Sequence, residues 1–239
     1  MFGTRYGNVL TVILVIVIIL ILGLVGWFAY DMYKQSSTNN IAQSAIDDFN
    51  NNIRKRVEDK AIEGNTELDP GNTSRDNSTI LGNKKTYLEN YEVKGIIEIP
   101  KTGIKYPILS QVTKRSLELA VAILYPTGGD LNEVGNTVIL GHNYRNSLFF
   151  SDNDKISNGD KILITDQTGR TVTYEVYRKF ETDPNDSDYI TRDTENRREI
   201  SLSTCTDDSK SRIVILAKEK EDSKTETNQT TEENVDEEQ

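Results

Sequence analysis

The sequence predicts a mainly β protein: a closed or nearly closed barrel of seven to eight strands with short helices, preceded by a membrane helix and a stalk helix. Three observations carry this reading. Residues 9–30 are almost wholly apolar and carry no charge. Residues 40–63 repeat apolar side chains at helical spacing. From Tyr87 onward, short runs rich in valine, isoleucine, threonine and tyrosine alternate with turn residues.

The first element is the apolar run. Its length corresponds to a helix of ~33 Å, enough to cross a bilayer core. A cleaved secretory signal is the competing reading, but no small-x-small exit precedes Asp31. Arg5 and the terminal amine lie before the run, with Asp31, Lys34 and mixed charges after it. The positive-inside rule then puts residues 1–8 in the cytoplasm and everything beyond 30 outside, as a single-pass protein of the cell membrane. Residues 31–86 read as stalk helix and linker. Ile41, Ala45, Phe49, Ile53 and Val57 recur every four residues with Ala42 and Ile46 beside them, Gly64 closes the helix, and 65–83 are rich in Asn, Thr, Ser, Gly and Asp.

Residues 87–218 hold the predicted barrel. Strand candidates are 95–99, stopped by Pro100, then 104–109 around Pro107, 137–140, 161–165, 171–179, 199–203 and 212–216. A short helix over 113–120 has Thr113 as its N-cap, and Asp166-Gln167-Thr168-Gly169 joins two strands as a hairpin turn. The formal net charge of −10 is uneven: from Lys218 to the end, nine acids stand against three lysines. Residues 219–239 cannot bury enough apolar surface to fold and are expected to be a disordered acidic tail. The remainder shows no basic stripe or aromatic stacking platform, which argues against a nucleic-acid partner.

The chemistry rests on three residues. Cys205 is the only cysteine and His142 the only histidine. Each ends a β-rich run, and Arg212 opens another. A lone cysteine is commonly a small buried hydrophobe, a lone histidine is commonly structural, and most arginines are solvated. One cysteine forms no internal disulfide, and with no second histidine or cysteine a zinc site is not expected. A thiol, an imidazole and a guanidinium at strand ends are the parts needed for thiol-based acyl transfer. Arg212 cannot act as a base, but its planar fork can hold an oxyanion. A turn of six residues would return it beside Cys205 on an antiparallel neighbour. The acidic stretch 183–188 invites a calcium ion. It lacks the glycine and distal glutamate of an EF-hand loop, so a solvated loop is the expectation and no cofactor is assigned.

Ser201-Leu202-Ser203-Thr204-Cys205 followed by Arg212 resembles the T-L-x-T-C…R signature of sortases. Gly135-Asn136-Thr137-Val138-Ile139-Leu140-Gly141-His142-Asn143 resembles the family's glycine–histidine segment. Gly95-Ile96-Ile97-Glu98-Ile99-Pro100 and Asn158-Gly159-Asp160-Lys161-Ile162 resemble its framework strands. The likeness runs from about 90 to 218 with its motifs in family order. Ser201 stands where the signature has threonine, and the three reactive positions are kept.

The resemblance implies a sortase-like barrel and a cell-surface cysteine transpeptidase of the Gram-positive type. Its clients would be secreted proteins bearing an LPXTG-like sorting signal, and its acceptor a peptidoglycan precursor or pilin amine. Cys205 would be the nucleophile, His142 the general acid and base, and Arg212 the oxyanion and substrate-positioning group. Thr204 and Thr206 would contact substrate, the latter offering its backbone N–H to the oxyanion. The 183–188 connection would border the substrate groove. Asp69-Pro70 is followed by Gly71 rather than an aromatic residue, and no second apolar span follows the domain, which together favour an anchoring or specialised enzyme over a pilin polymerase. Two readings compete: a non-catalytic membrane-tethered barrel for adhesion or scaffolding, and a cysteine hydrolase that cuts without transfer.

Overall fold

A computed structural model describes residues 4–63, 85–126 and 130–220. The linker, the Asp69-Pro70 pair and the tail beyond Lys220 lie outside them.

Eight strands close into a barrel. Strand β2 (Tyr91–Ile99) pairs with β3 (Ile104–Leu109), and β3 leads through helix α2 (Lys114–Leu119) to β4 (Val121–Pro126). The ring continues through β5 (Gly135–Leu140), β8 (Arg198–Cys205), β9 (Arg212–Glu219), β7 (Thr171–Thr182) and β6 (Lys161–Asp166). Strand β6 pairs back onto β2 and shuts it. A two-residue strand, β1 (Tyr87–Leu88), adds to β2 from outside. Most pairs are antiparallel; β3–β4 and β5–β8 are parallel.

Alternation along the strands fills the barrel with branched and aromatic side chains, among them Ile97, Ile99, Ile108, Ile139, Leu202 and Ile215. Pro107 sits mid-strand without breaking a ladder, because it opposes Ile96 of β2 while pairing to β4 begins only at Ile108. Gly95 allows β2 to pass close to its neighbours: a Cβ there would lie 2.5 Å from the Thr165 carbonyl oxygen. The predicted hairpin forms as read, with Gly169 at φ +88° and its N–H on the Asp166 carbonyl at 3.0 Å.

Helix α1 runs unbroken from Thr4–Glu63. The expected separation between a membrane helix ending at 30 and a stalk beginning at 40 is absent. Residues 31–39 contain no proline or glycine, so nothing stops propagation. The lower half lies on the barrel. Ala45, Ile46 and Phe49 are buried against Leu88, Val93, Ile96, Leu109 and Leu119, and Ala42 joins the cluster that fills the barrel. Burying one such large apolar side chain is worth about 1.5–3 kcal/mol. The four-residue spacing read from the sequence is only partly followed: Ile41 and Val57 stay 44 % and 59 % exposed. A step of four residues rotates about 40° beyond a full turn, so the ends of such a stripe leave the face that its middle occupies. Tyr106 fixes the helix by donating to Asn39 Oδ1 at 2.7 Å, and Asn52 by donating to Thr86 Oγ1 at 2.8 Å.

Two further differences are local. Strand β4 follows α2 directly, where the sequence shows no turn residue to mark a new element. Its start is a conformational switch at Ala120, which is fully extended at φ −164° and ψ −164°. Strand β9 runs through Glu219 rather than ending before the acidic tail, because Lys218 opposes Glu199 and Glu175 on either side.

Candidate active site

The ends of β5, β8 and β9 meet at one rim of the barrel. Cys205 and Arg212 are direct register partners across the antiparallel β8–β9 pair. Ser203 opposes Val214 and Ser201 opposes Leu216 on the same outer face, while Thr204, Leu202 and Ile200 alternate into the barrel. On the other side of β8, Val138 pairs with Ser201 and Leu140 with Ser203. The Gly141 N–H then donates to the Ser203 carbonyl at 3.2 Å. The β5–β8 ladder ends there, and His142 follows Gly141 in the connection beyond β5. Cys205 and Arg212 lie on neighbouring strands ~4.8 Å apart, and the histidine loop reaches the same rim through Asn143, whose side chain donates to the Cys205 carbonyl. Asn143 and Cys205, 62 positions apart, are brought together where the β5–β8 pairing ends.

Local features hold each member. Gly141 is needed because Phe150 crosses it: a Cβ would lie 2.6 Å from the Phe150 ring. The Phe150 N–H donates to the His142 carbonyl at 3.1 Å. The imidazole is half-buried and lies 4.9 Å, centroid to centroid, from the Tyr144 ring. Burial pushes its pKa below the ordinary imidazole range, and the Glu118 carboxylate offsets part of that. Cys205 is partly exposed and free. The Arg212 guanidinium donates from Nε to the Pro184 carbonyl at 3.3 Å, which ties it to the β7–β8 connection.

That connection lies over the outer face of β8. Asn136 donates to the Tyr189 and Ile190 carbonyls at 2.9 and 3.0 Å, and the Tyr189 hydroxyl bonds to Ser203 Oγ at 3.2 Å. Below them Glu199, only 2 % exposed, takes the Tyr177 hydroxyl at 2.8 Å and the Arg197 Nε at 3.1 Å, with Arg192 as its third partner. A buried carboxylate so fully engaged fixes the path of the loop and with it the wall beside Arg212. The acidic residues of 183–188 serve the turn itself. Asp183 accepts from the Asn185 amide, and Asp186 accepts from the Asp188 N–H and the Thr182 hydroxyl. Among the described residues, no group of three acidic, histidine or cysteine side chains is placed to hold a metal ion.

The Thr204 side chain and the Thr206 N–H, both expected at the substrate, are placed otherwise. Thr204 is 1 % exposed, faces the barrel interior and has no hydrogen-bond partner for its hydroxyl. Strand alternation sends its side chain away from the face that carries Cys205. The Thr206 backbone N–H donates to the Ser211 carbonyl at 2.9 Å, and its hydroxyl donates to Asp208 Oδ1 at 2.7 Å. Thr206 thus closes the six-residue turn instead of presenting a free donor to an oxyanion.

A residue with no role read from the sequence joins the site. The Asn143 side-chain amide donates to the Cys205 carbonyl at 3.0 Å and to Asp207 Oδ1 at 2.8 Å. It continues the β5–β8 pairing past the last backbone rung and couples the histidine loop to the thiol strand. An amide directly after the lone histidine was the available signal. Asn143→Ala is expected to lower kcat by roughly tenfold with little change in KM, matching loss of about 1–2 kcal/mol of positioning hydrogen bonds. Steady-state kinetics on a peptide substrate would check the split.

The family model of the sortase domain matches residues 97–220, more than half of the chain. The chain belongs to the sortase family. Among solved structures, this sortase resembles sortase A from Corynebacterium diphtheriae, a lid mutant, at 29 % identity and a TM-score of 0.50, over 55 % of this chain and 72 % of that one. It shares its fold with a Clostridium perfringens sortase D5 transpeptidase at 23 % identity and a TM-score of 0.54, over 76 % and 99 % of the two chains. Sortase C1 of GBS pilus island 1 is similar at 20 % identity and a TM-score of 0.54, covering 78 % and 95 %. Comparison with the curated proteins finds no match. Family membership brings cysteine transpeptidase chemistry and the closed barrel with it.

Proposed function

We propose that this sortase cleaves an LPXTG-like sorting signal of secreted proteins at Cys205 and transfers the acyl group to an amine at the cell surface. The observation that supports the reading is the register pairing of Cys205 with Arg212 at the rim of the barrel, with the His142 loop held to that rim by the Asn143 amide on the Cys205 carbonyl. The Cys205 thiolate attacks the threonyl carbonyl, and the guanidinium of Arg212 faces the oxygen that gains charge. Imidazolium at His142 gives its proton to the departing amine, leaving a thioester on Cys205. In the second half the incoming amine attacks the thioester carbon, the C–S bond breaks, and His142 accepts the amine proton. Water competes with the amine, so slow hydrolysis is expected when no amine is present.

Residues 9–30 serve as the membrane anchor in this proposal, with the barrel on the outer face of the cell membrane. In support, the described residues contain one helix long and apolar enough to span a bilayer, and its large side chains are solvent-facing, Trp27 at 72 % and Phe28 at 68 %. An apolar surface of this length is unstable in water and stable in lipid.

Arg212→Ala removes an oxyanion donor and is expected to lower kcat/KM by ~10²–10³-fold. Arg212→Lys restores the charge without the planar fork and recovers only part of the loss. Product analysis of a sorting peptide with added triglycine tests the function itself. An amide-linked adduct supports transfer, whereas free acid alone would assign hydrolysis.

A further inference from the structure

His142 sits in a loop, beyond the last rung of the β5–β8 ladder. Three residues of that loop, none of them glycine, hold positive φ: Arg145 at +58°, Ser147 at +62° and Phe149 at +52°. That region is disfavoured for L side chains, most of all for a bulky one such as phenylalanine. A path of this kind persists only where surrounding contacts impose it. On the thiol side those contacts are the Asn143 amide on the Cys205 carbonyl and the Arg145 guanidinium on the Asp207 carbonyl. On the other side they come from helix α1.

Two routes join α1 to the loop. Gln35 donates its side-chain amide to the Asn146 carbonyl, 111 residues away. The second route is a run of rings. The Tyr106 hydroxyl of β3 donates to Asn39 Oδ1 of α1 at 2.7 Å, and the Tyr106 ring lies 4.9 Å from that of Phe149. Phe149 lies 5.8 Å from Tyr144, and Tyr144 lies 4.9 Å from the His142 imidazole, all centroid to centroid. Tilted aromatic rings attract at these separations, so each ring sets the place of the next. A cavity of about 560 Å³, lined by Lys34 and Thr38 of α1 and by Tyr144 and Leu148 of the loop, opens beside these contacts. The hold of α1 on the loop is therefore concentrated in Gln35 and the run of rings.

We propose that Gln35 and Tyr106 are positioning residues for the His142 imidazole, which makes the turn of α1 just beyond the apolar run a working part of the active site. The inference rests on the transpeptidase reading of the Cys205 site. His142 there has two proton transfers to perform, one to the departing amine and one from the entering amine, and both need the ring at a fixed reach. Gln35 and Tyr106 act through the placement of that ring and not on the reacting atoms. Gln35 lies five residues beyond the apolar run, ~7.5 Å along the helix axis. The segment read as the membrane anchor and the support of the histidine loop are thus one unbroken helix.

The test compares two variants of the full chain in detergent micelles. Gln35→Ala combined with Tyr106→Phe removes both hydrogen bonds while keeping the aromatic ring and a strong helix former. Asn39 is exposed and Asn146 half-buried, so water reaches the partners left behind and folding is preserved. Asn52→Ala is the control: it removes the Asn52–Thr86 hydrogen bond, also between α1 and the barrel, but ~25 Å further along the helix. In hydrolysis and transfer of a sorting peptide, the double variant is expected to lose about tenfold in kcat with less than about a twofold change in KM. In NMR spectra of the chain labelled only at histidine, the single set of imidazole resonances is expected to shift as Tyr144 leaves its contact with the ring. The control is expected to match wild type in both. Wild-type kcat or unmoved His142 resonances in the double variant would overturn the proposal. So would an equal loss of kcat in Asn52→Ala, which would mark a general loosening of the helix. A wild-type chain that forms no thioester with any sorting peptide would end the transpeptidase reading, while the imidazole resonances would still decide whether α1 places the ring.

Discussion

Alanine at Cys205 is expected to abolish both thioester formation and transfer, with kcat falling by at least about 10⁴-fold. The sulfur is the atom that forms the proposed covalent intermediate, and the chain has no second cysteine to replace it. The loss is chemical rather than structural. Cys205 is only partly buried at the end of β8, and the backbone there is held by its pairing with Arg212 and by the Asn143 amide on its carbonyl. Replacing a partly exposed side chain away from the core changes stability by about 0.5 kcal/mol or less, a shift of ~1–2 °C in Tm. Thermal melting beside a turnover assay separates the two effects. An unfolded alanine variant would leave the nucleophile unproven, and an active one would remove it.

The second large effect is expected at His142. His142→Ala should lower kcat/KM by ~10²–10⁴-fold, because one group serves the leaving amine in the first half and the entering amine in the second. The pH dependence follows from its environment. Burial disfavours the charged ring, so its pKa lies below the ordinary value; imidazolium is present below that pKa and is lost as pH rises through it. The acylation half therefore loses its proton donor at a lower pH than an exposed histidine would allow, whereas the base needed for the amine is already available at neutral pH. Because the chain has one histidine, its ring resonances can be titrated by NMR without overlap. Glu118→Gln removes the carboxylate that favours the imidazolium and should move the titration further down. A titration that moves up in that variant would show that Glu118 does not act on the ring.

The barrel was legible because its strands obey simple rules. Alternation over 161–166 and 171–179, with Gly169 in the turn between, gives a hairpin from local information alone. The capped helix at Thr113 is legible for the same reason: its hydroxyl accepts from the Ser116 N–H at 3.0 Å while Ser116 returns the bond to the Thr113 N–H. Strand β4 was not, since a switch from helix to strand at Ala120 needs no marker residue when the tertiary ladder imposes it. The continuity of α1 was missed because apolar patterning changes at 30 while helix propensity does not.

The site divides in the same way. Cys205 and His142 stand out by rarity, and Arg212 by opening the strand that follows Cys205 and by its place in the sortase signature. The inward turn of Thr204 and the occupied N–H of Thr206 depend on the phase of alternation and on how the 206–211 turn closes, which motif order does not encode. Asn143 escaped for a related reason: its partners lie 62 and 64 residues away and exist only once β5 and β8 run parallel.

The most direct test of the central claim, that the rim of the barrel forms and resolves a thioester at Cys205, is the intact mass of the protein after incubation with a sorting peptide, followed by peptide mapping. The account predicts one added acyl fragment located on Cys205, formed with release of the peptide's C-terminal part and discharged as an amide when triglycine is added. A protein whose thiol reacts with a mild alkylating agent but takes up no acyl group from any sorting peptide, or takes it up at another residue, would contradict it.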